Sequence, residues 1–162
     1  LLGLIRHHGV DPHHFLSETH NFDNLGSLII TAPALAHTLK GLPGRRIIFS
    51  NAPRRYTHDV LKLSGLLPLF DAIYTVESFG FQPKPLRSGF EKLLRKERIQ
   101  PNQAIMIEDS LPNLVMAKRL GMHTLWVTRS LRNSPWVDHK LRSITDLRHL
   151  PAWSQRATCG AK

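Results

Sequence analysis

Two adjacent acids, Glu108 and Asp109, close the apolar run Ala104-Ile105-Met106-Ile107. Such a run reads as a buried strand, and carboxylates at its end are costly to bury unless a cation pairs with them. Hard oxygen ligands at a strand end, with water and an anion completing the shell, suit Mg²⁺. The competing reading is a solvated pair of turn acids that caps the next helix. Lys84 stands between prolines in Gln82-Pro83-Lys84-Pro85, 34 residues after Ser50 and 25 before Asp109. A rigid loop can hold its ammonium where it neutralises both an anion and nearby carboxylates, although a lone lysine in such a loop is ordinarily solvated surface. Ser50 and Asn51 end a third segment, Ile47-Ile48-Phe49-Ser50-Asn51. A hydroxyl there can donate to an anion's oxygen without adding charge, and a following helix start adds backbone donors. Taken alone, Ser-Asn after a strand is also common turn chemistry.

The elements that must position these groups follow from periodicity. From Leu1 to about Gly41 apolar residues recur at helical spacing, with Asp11-Pro12 and Thr31-Ala32-Pro33 as starts. From Arg45 onward the pattern alternates strand and helix, the signature of a parallel α/β sheet. Strands are expected at 46–49, 72–75, 104–108 and 123–127, and helices at 54–64, 86–98 and 111–120. Gly65 and Gly121 stop two of the helices. A short last strand and turn are expected within 140–150. In open α/β sheets ligands lie beyond the carboxyl ends of strands, where Ser50, Asn51, Glu108 and Asp109 all fall.

Phe49-Ser50-Asn51, then Pro83-Lys84-Pro85, then Ile107-Glu108-Asp109-Ser110-Leu111-Pro112-Asn113 form an ordered set. In that order they resemble the phosphate-site motifs of the haloacid-dehalogenase-like phosphohydrolases. The stretch from about Arg46 to Val127 resembles their pyrimidine 5'-nucleotidase-like branch, through Glu108 to Leu114 and the following Ala117-Lys118-Arg119-Leu120-Gly121-Met122. The resemblance implies an α/β, Rossmann-like parallel sheet with helices on both faces. It implies a helical cap remnant over residues 1–41, the α/β core over 42–153 and a flexible tail over 154–162. The implied activity is Mg²⁺-dependent hydrolysis of a small phosphomonoester, a nucleotide 5'-monophosphate in that branch, with sugar phosphates as the other class. In-line attack by an aspartate would be followed by hydrolysis of the aspartyl-phosphate. By resemblance, Ser50 and Asn51 hold phosphoryl oxygens, Lys84 screens charge, Asp109 binds the metal directly with Glu108 assisting, and Asn113 orients the outer shell.

One part of that pattern is absent from these residues. The family's nucleophile motif is Asp-x-Asp-x-Thr/Val at the end of its first strand, and no Asp-x-Asp occurs among the seven aspartates here. The chain begins with Leu1 and reads as lacking at least one N-terminal strand-helix unit, hence as inactive in the form given. The alternative is a noncatalytic remnant or anion-binding module. The missing strand lies in the middle of the family's sheet, between the strands that end at Ser50 and at Glu108.

Composition limits the other classes. A chain of 162 residues with 41% hydrophobic content suits one compact domain. Its apolar runs are far below the roughly 20 residues that cross a bilayer, and Leu1-Leu2-Gly3-Leu4-Ile5 is too short for a signal-peptide core. A cytoplasmic protein is expected. The single cysteine, Cys159, allows no internal disulfide. The formal charge of +10 invites nucleic-acid binding, but the basic residues are spread as pairs such as Arg54-Arg55 and Lys118-Arg119. They carry no nucleic-acid signature, so a basic surface that attracts small anions is the better reading. The pairs His7-His8 and His13-His14 match no zinc spacing.

Strands deprived of a shared neighbour carry unpaired backbone groups, which are costly to leave unsatisfied. The isolated 162-residue chain is therefore expected to be poorly soluble or dimeric. Sedimentation velocity checks this, and a soluble, cooperatively melting monomer would count against it.

Overall fold

The computed structural model describes residues 1–150. Cys159 and the expected tail at 154–162 lie outside them. The chain divides into two compact units, one of Leu1–Lys40 with Gly44–Pro83, the other of Gly41–Pro43 with the residues from Lys84 onward.

In the first unit four helices, α1 (Leu2–His8), α2 (Pro12–Thr19), α3 (Leu25–Leu28) and α4 (Pro33–Lys40), precede strand β1 (Ile47–Phe49), helix α5 (Arg54–Leu63) and strand β2 (Ala72–Tyr74). Helix α2 starts where its sequence says it should. Asp11 accepts hydrogen bonds from the backbone N–H groups of His13 and His14 at 2.7 and 2.9 Å, with Pro12 in the first turn. The other proline signal, Pro33, opens α4. Strands β1 and β2 run parallel, Ile47 opposite Ala72 and Phe49 opposite Tyr74. The ladder extends one step further through the Ser50 N–H, which donates to the Tyr74 carbonyl at 2.8 Å. Beneath it Phe49 meets Phe79 edge-on and Tyr74 stacks on the same ring. Gly65 ends α5 in the left-handed region at φ +69°, which a side chain would strain.

The second unit holds α6 (Arg87–Glu97), β3 (Ile105–Glu108), α7 (Leu111–Arg119), β4 (His123–Val127) and β5 (His139–Leu141). Its three strands form a parallel sheet in the order β3-β4-β5. Helix α6 buries Phe90, Leu93 and Leu94, the three- and four-residue spacing of one helical face. Helix α7 buries Asn113, Leu114 and Ala117 in the same way. Leu125, Leu141 and Leu147 form a core cluster against which Ile105 and Ile107 pack.

The protein is thus α/β with parallel strands, and the expected strands and helices from residue 45 onward are present with ends shifted by no more than about a residue. The expected last strand and turn are β5 and the 3₁₀ segment Ile144–His149. Among the described residues β1 pairs with β2 alone and β3 with β4 alone. No helix among them is long and apolar enough to cross a membrane.

The connection from β4 to β5 carries no helix, and a polar cluster anchors it. Asp138 accepts from the Lys118 ammonium and, at 2.9 Å, from the Thr124 N–H. The fully buried Thr124 hydroxyl donates to the Trp136 carbonyl at 2.9 Å. Burial alone would raise the Asp138 pKa, but the Lys118 and Thr124 bonds outweigh it and hold the carboxyl below its usual value. A carboxyl depressed in the folded state stabilises the fold above its unfolded pKa of about 4, and that contribution is lost as pH falls through the folded value. Asp138→Asn should therefore cost about 1–2 kcal/mol at pH 7. Thermal melts from pH 7 to 3 should show the gap between variant and parent closing in acid. A gap unchanged across that range would refute the ionic role.

Candidate active site

The second unit gathers three of the expected site residues into one network. Pro83 and Pro85 flank Lys84, and the Lys84-Pro85 peptide is cis. The Lys84 ammonium donates to Glu108 Oε2 at 2.8 Å, with only 6% of the lysine side chain and 14% of the glutamate side chain exposed. The second Glu108 oxygen, Oε1, accepts from Asn113 Nδ2 at 2.9 Å. Each member has its own element: Lys84 the loop before α6, Glu108 the last position of β3, Asn113 the first turn of α7. Ser110 and Pro112 set the start of α7 and so place Asn113 one turn above the strand end.

With both oxygens engaged, Glu108 organises the site. Its neighbour Asp109 differs in every respect. It is the first residue beyond β3, is exposed, and its carboxylate accepts no hydrogen bond from the described residues. A carboxylate so placed can take a hard cation whose remaining ligands are water and anion oxygens. Among the described residues no three of His, Cys, Asp and Glu converge as a metal-binding group.

Ser50 and Asn51 belong to the first unit, at the carboxyl end of β1. The Ser50 hydroxyl accepts from the Ala52 N–H at 3.0 Å, the geometry of a serine turn, which leaves its own proton available to an anion. Helix α5 follows directly, and its first N–H, that of Arg54, is taken by Glu77 Oε1 at 2.8 Å. Beside Pro53 in this unit lies a cavity of about 190 Å³, walled by His13, His20, Phe22, Tyr56 and Glu77. His20 and Phe22 both pack their rings against Tyr56. Burial would raise the Glu77 pKa, yet the neighbouring Thr75 hydroxyl and the bond from the Arg54 N–H hold its carboxyl below the usual value, so the cavity wall is anionic at neutral pH.

Sequence reasoning missed Trp126. Its indole Nε1–H donates to the backbone carbonyl of Asp109 at 2.8 Å. Only the register of β3 against β4, which sets Trp126 opposite Glu108 and is fixed by the fold, reveals it.

Known proteins resemble the chain across this region. The chain is 27% identical over 119 residues to Validoxylamine A 7'-phosphate phosphatase of Streptomyces hygroscopicus subsp. limoneus, covering 72% of this chain and 55% of that one. It is 28% identical over 99 residues to a phosphoglycolate phosphatase of Vibrio vulnificus, covering 59% and 43%. The chain thus spans about half the length of the curated relatives it matches. Among solved structures it is similar to a HAD phosphatase from Thermococcus onnurineus, with 28% identity, TM-score 0.62 and coverage of 72% and 54%. A haloacid dehalogenase-like protein of Agrobacterium tumefaciens shares the fold at TM-score 0.68, with 18% identity over 95% of this chain and 76% of that one. The family model for haloacid dehalogenase-like hydrolases matches residues 17–121, and with that span this chain belongs to the haloacid dehalogenase-like hydrolase family.

Proposed function

We propose that these residues carry the phosphate- and Mg²⁺-binding part of a cytoplasmic phosphomonoester hydrolase, with nucleotide 5'-monophosphates as its substrate class. The observation that carries this reading is the buried Lys84–Glu108–Asn113 network holding the strand end beside the exposed Asp109. A buried ammonium between an anion site and a carboxylate offsets the repulsion that would otherwise drive a dianionic ester away. The phosphatase names of the relatives support a phosphate ester as ligand. The nucleotide class rests on the run from Glu108 to Met122 and its likeness to the nucleotidase-like branch.

The donor set fits Mg²⁺. Asp109 supplies one hard, solvent-open oxygen ligand, and this ion keeps several waters and needs only one or two carboxylates. When bound, the ion supplies Lewis-acid polarisation of a phosphoryl oxygen. The chain's own groups do the rest of the binding. In the first unit Ser50 offers its hydroxyl proton and Asn51 its amide to an anion's oxygen, and in the second Lys84 balances charge. Asn113 holds Glu108 so that its carboxylate keeps Lys84 fixed. No aspartate here stands where the family's nucleophile would, so these 162 residues by themselves bind without turnover. The second reading, an anion-binding module without catalysis, is favoured by the absence of an Asp-x-Asp motif from these residues. Self-association through the unpartnered edges of β1 and β3 belongs to either reading.

The test is binding. Mn²⁺ titration followed by EPR, with inorganic phosphate present, should show one saturable site in the 162-residue chain and no hydrolysis of nucleotide monophosphates. Asp109→Asn should abolish that site while leaving stability within about 0.5 kcal/mol, as expected for an exposed, unpaired side chain. Lys84→Met should instead destabilise by about 3–5 kcal/mol, because it strands the Glu108 carboxylate without its partner. Full Mn²⁺ affinity in Asp109→Asn would sink the metal assignment, and a Lys84→Met protein as stable as its parent would sink the network's role.

A further inference from the structure

We infer that Trp126 is a positioning residue for the cation site: its indole N–H fixes the Asp109 peptide and thereby aims the Asp109 carboxylate. The inference rests on the metal reading of Asp109 above and adds a residue to it.

Asp109 occupies an awkward place in the chain. Strand β3 ends at Glu108 and the cap of α7 is Ser110, so Asp109 lies in a two-residue link with neither ladder nor helix to set its backbone. Its carbonyl is satisfied by a side chain, Trp126, at 2.8 Å. The donor is itself immobile. Trp126 is 8% exposed in the middle strand of its sheet, between β3 and β5. The Lys140 ammonium lies 5.8 Å from the centre of its ring, in register across β5, and also donates to the Arg132 carbonyl at 2.8 Å.

Holding the carbonyl fixes the plane of the peptide after Asp109, which limits ψ at that residue and hence the direction of its Cα–Cβ bond. The carboxylate has no hydrogen bond of its own among the described residues, so this backbone bond is the restraint on it that the structure shows. A partner one step behind a ligand commonly changes metal affinity by about 10- to 100-fold. Phenylalanine would preserve the buried ring and delete only the donor.

The test compares Trp126→Phe with the parent 162-residue chain by Mn²⁺ titration and EPR, alongside thermal melts. The expected result is Mn²⁺ affinity weaker by about 10-fold or more with a melt still cooperative. Equal affinity in a folded Trp126→Phe protein overturns the inference while leaving Asp109 as ligand, whereas a parent chain that binds no Mn²⁺ overturns both. Should Trp126→Phe fail to fold, the Trp136→Phe/Trp153→Phe background leaves Trp126 as the sole indole. Its emission should then shift saturably with Mg²⁺ at the midpoint that calorimetry gives, and an emission indifferent to bound Mg²⁺ overturns the inference.

Discussion

Two opposite charges are taken out of water at the end of β3, and the arrangement around them follows from that cost. Removing an ammonium and a carboxylate from solvent is repaid only if their contact is close and the remaining lone pairs are satisfied. Lys84 meets one Glu108 oxygen and Asn113 the other, so both oxygens of the carboxylate are engaged. The consequence is a division of labour between neighbours of similar chemistry. Both Glu108 oxygens take hydrogen bonds inside the network, whereas Asp109, one residue later, is exposed and its carboxylate accepts none from the described residues.

Much of this was legible in the sequence because local signals were strong. Asp11-Pro12 and Pro33 mark helix starts and Gly65 a stop, each for a reason internal to a few residues. The closeness of Lys84 to Glu108 was legible only through resemblance, since they are 24 positions apart and no periodicity links a proline loop to a strand end. The engagement of both Glu108 oxygens was not legible at all. Two adjacent acids look equivalent in a sequence, and the pleat that turns one inward and the other out is known only once β3 has a fixed end. Trp126 escaped for a related reason: its composition and place read as core, and only the register against β3 shows that its polar edge reaches the link.

Binding groups in this fold are distributed over strand ends, and each end is built by its own strand and following helix. A chain that spans about half of its curated relatives can therefore still carry local arrangements that are complete within one unit. The Lys84 network needs nothing beyond the second unit, and the Ser50 turn needs nothing beyond β1, β2 and the start of α5.

The helix-free crossover from β4 to β5 has its own implication. Parallel strands are usually joined through a helix that packs on the sheet, but here residues 128–138 are pinned by polar contacts to Thr124 and Lys118 at the far end. The middle of the crossover carries little packing, and Leu131 is 92% exposed. Lengthening a loop costs little, about 0.6 kcal/mol for each doubling. The crossover around Leu131 is thus a natural insertion point for a peptide tag or a reporter domain, provided the Arg132 carbonyl that Lys140 holds stays in place.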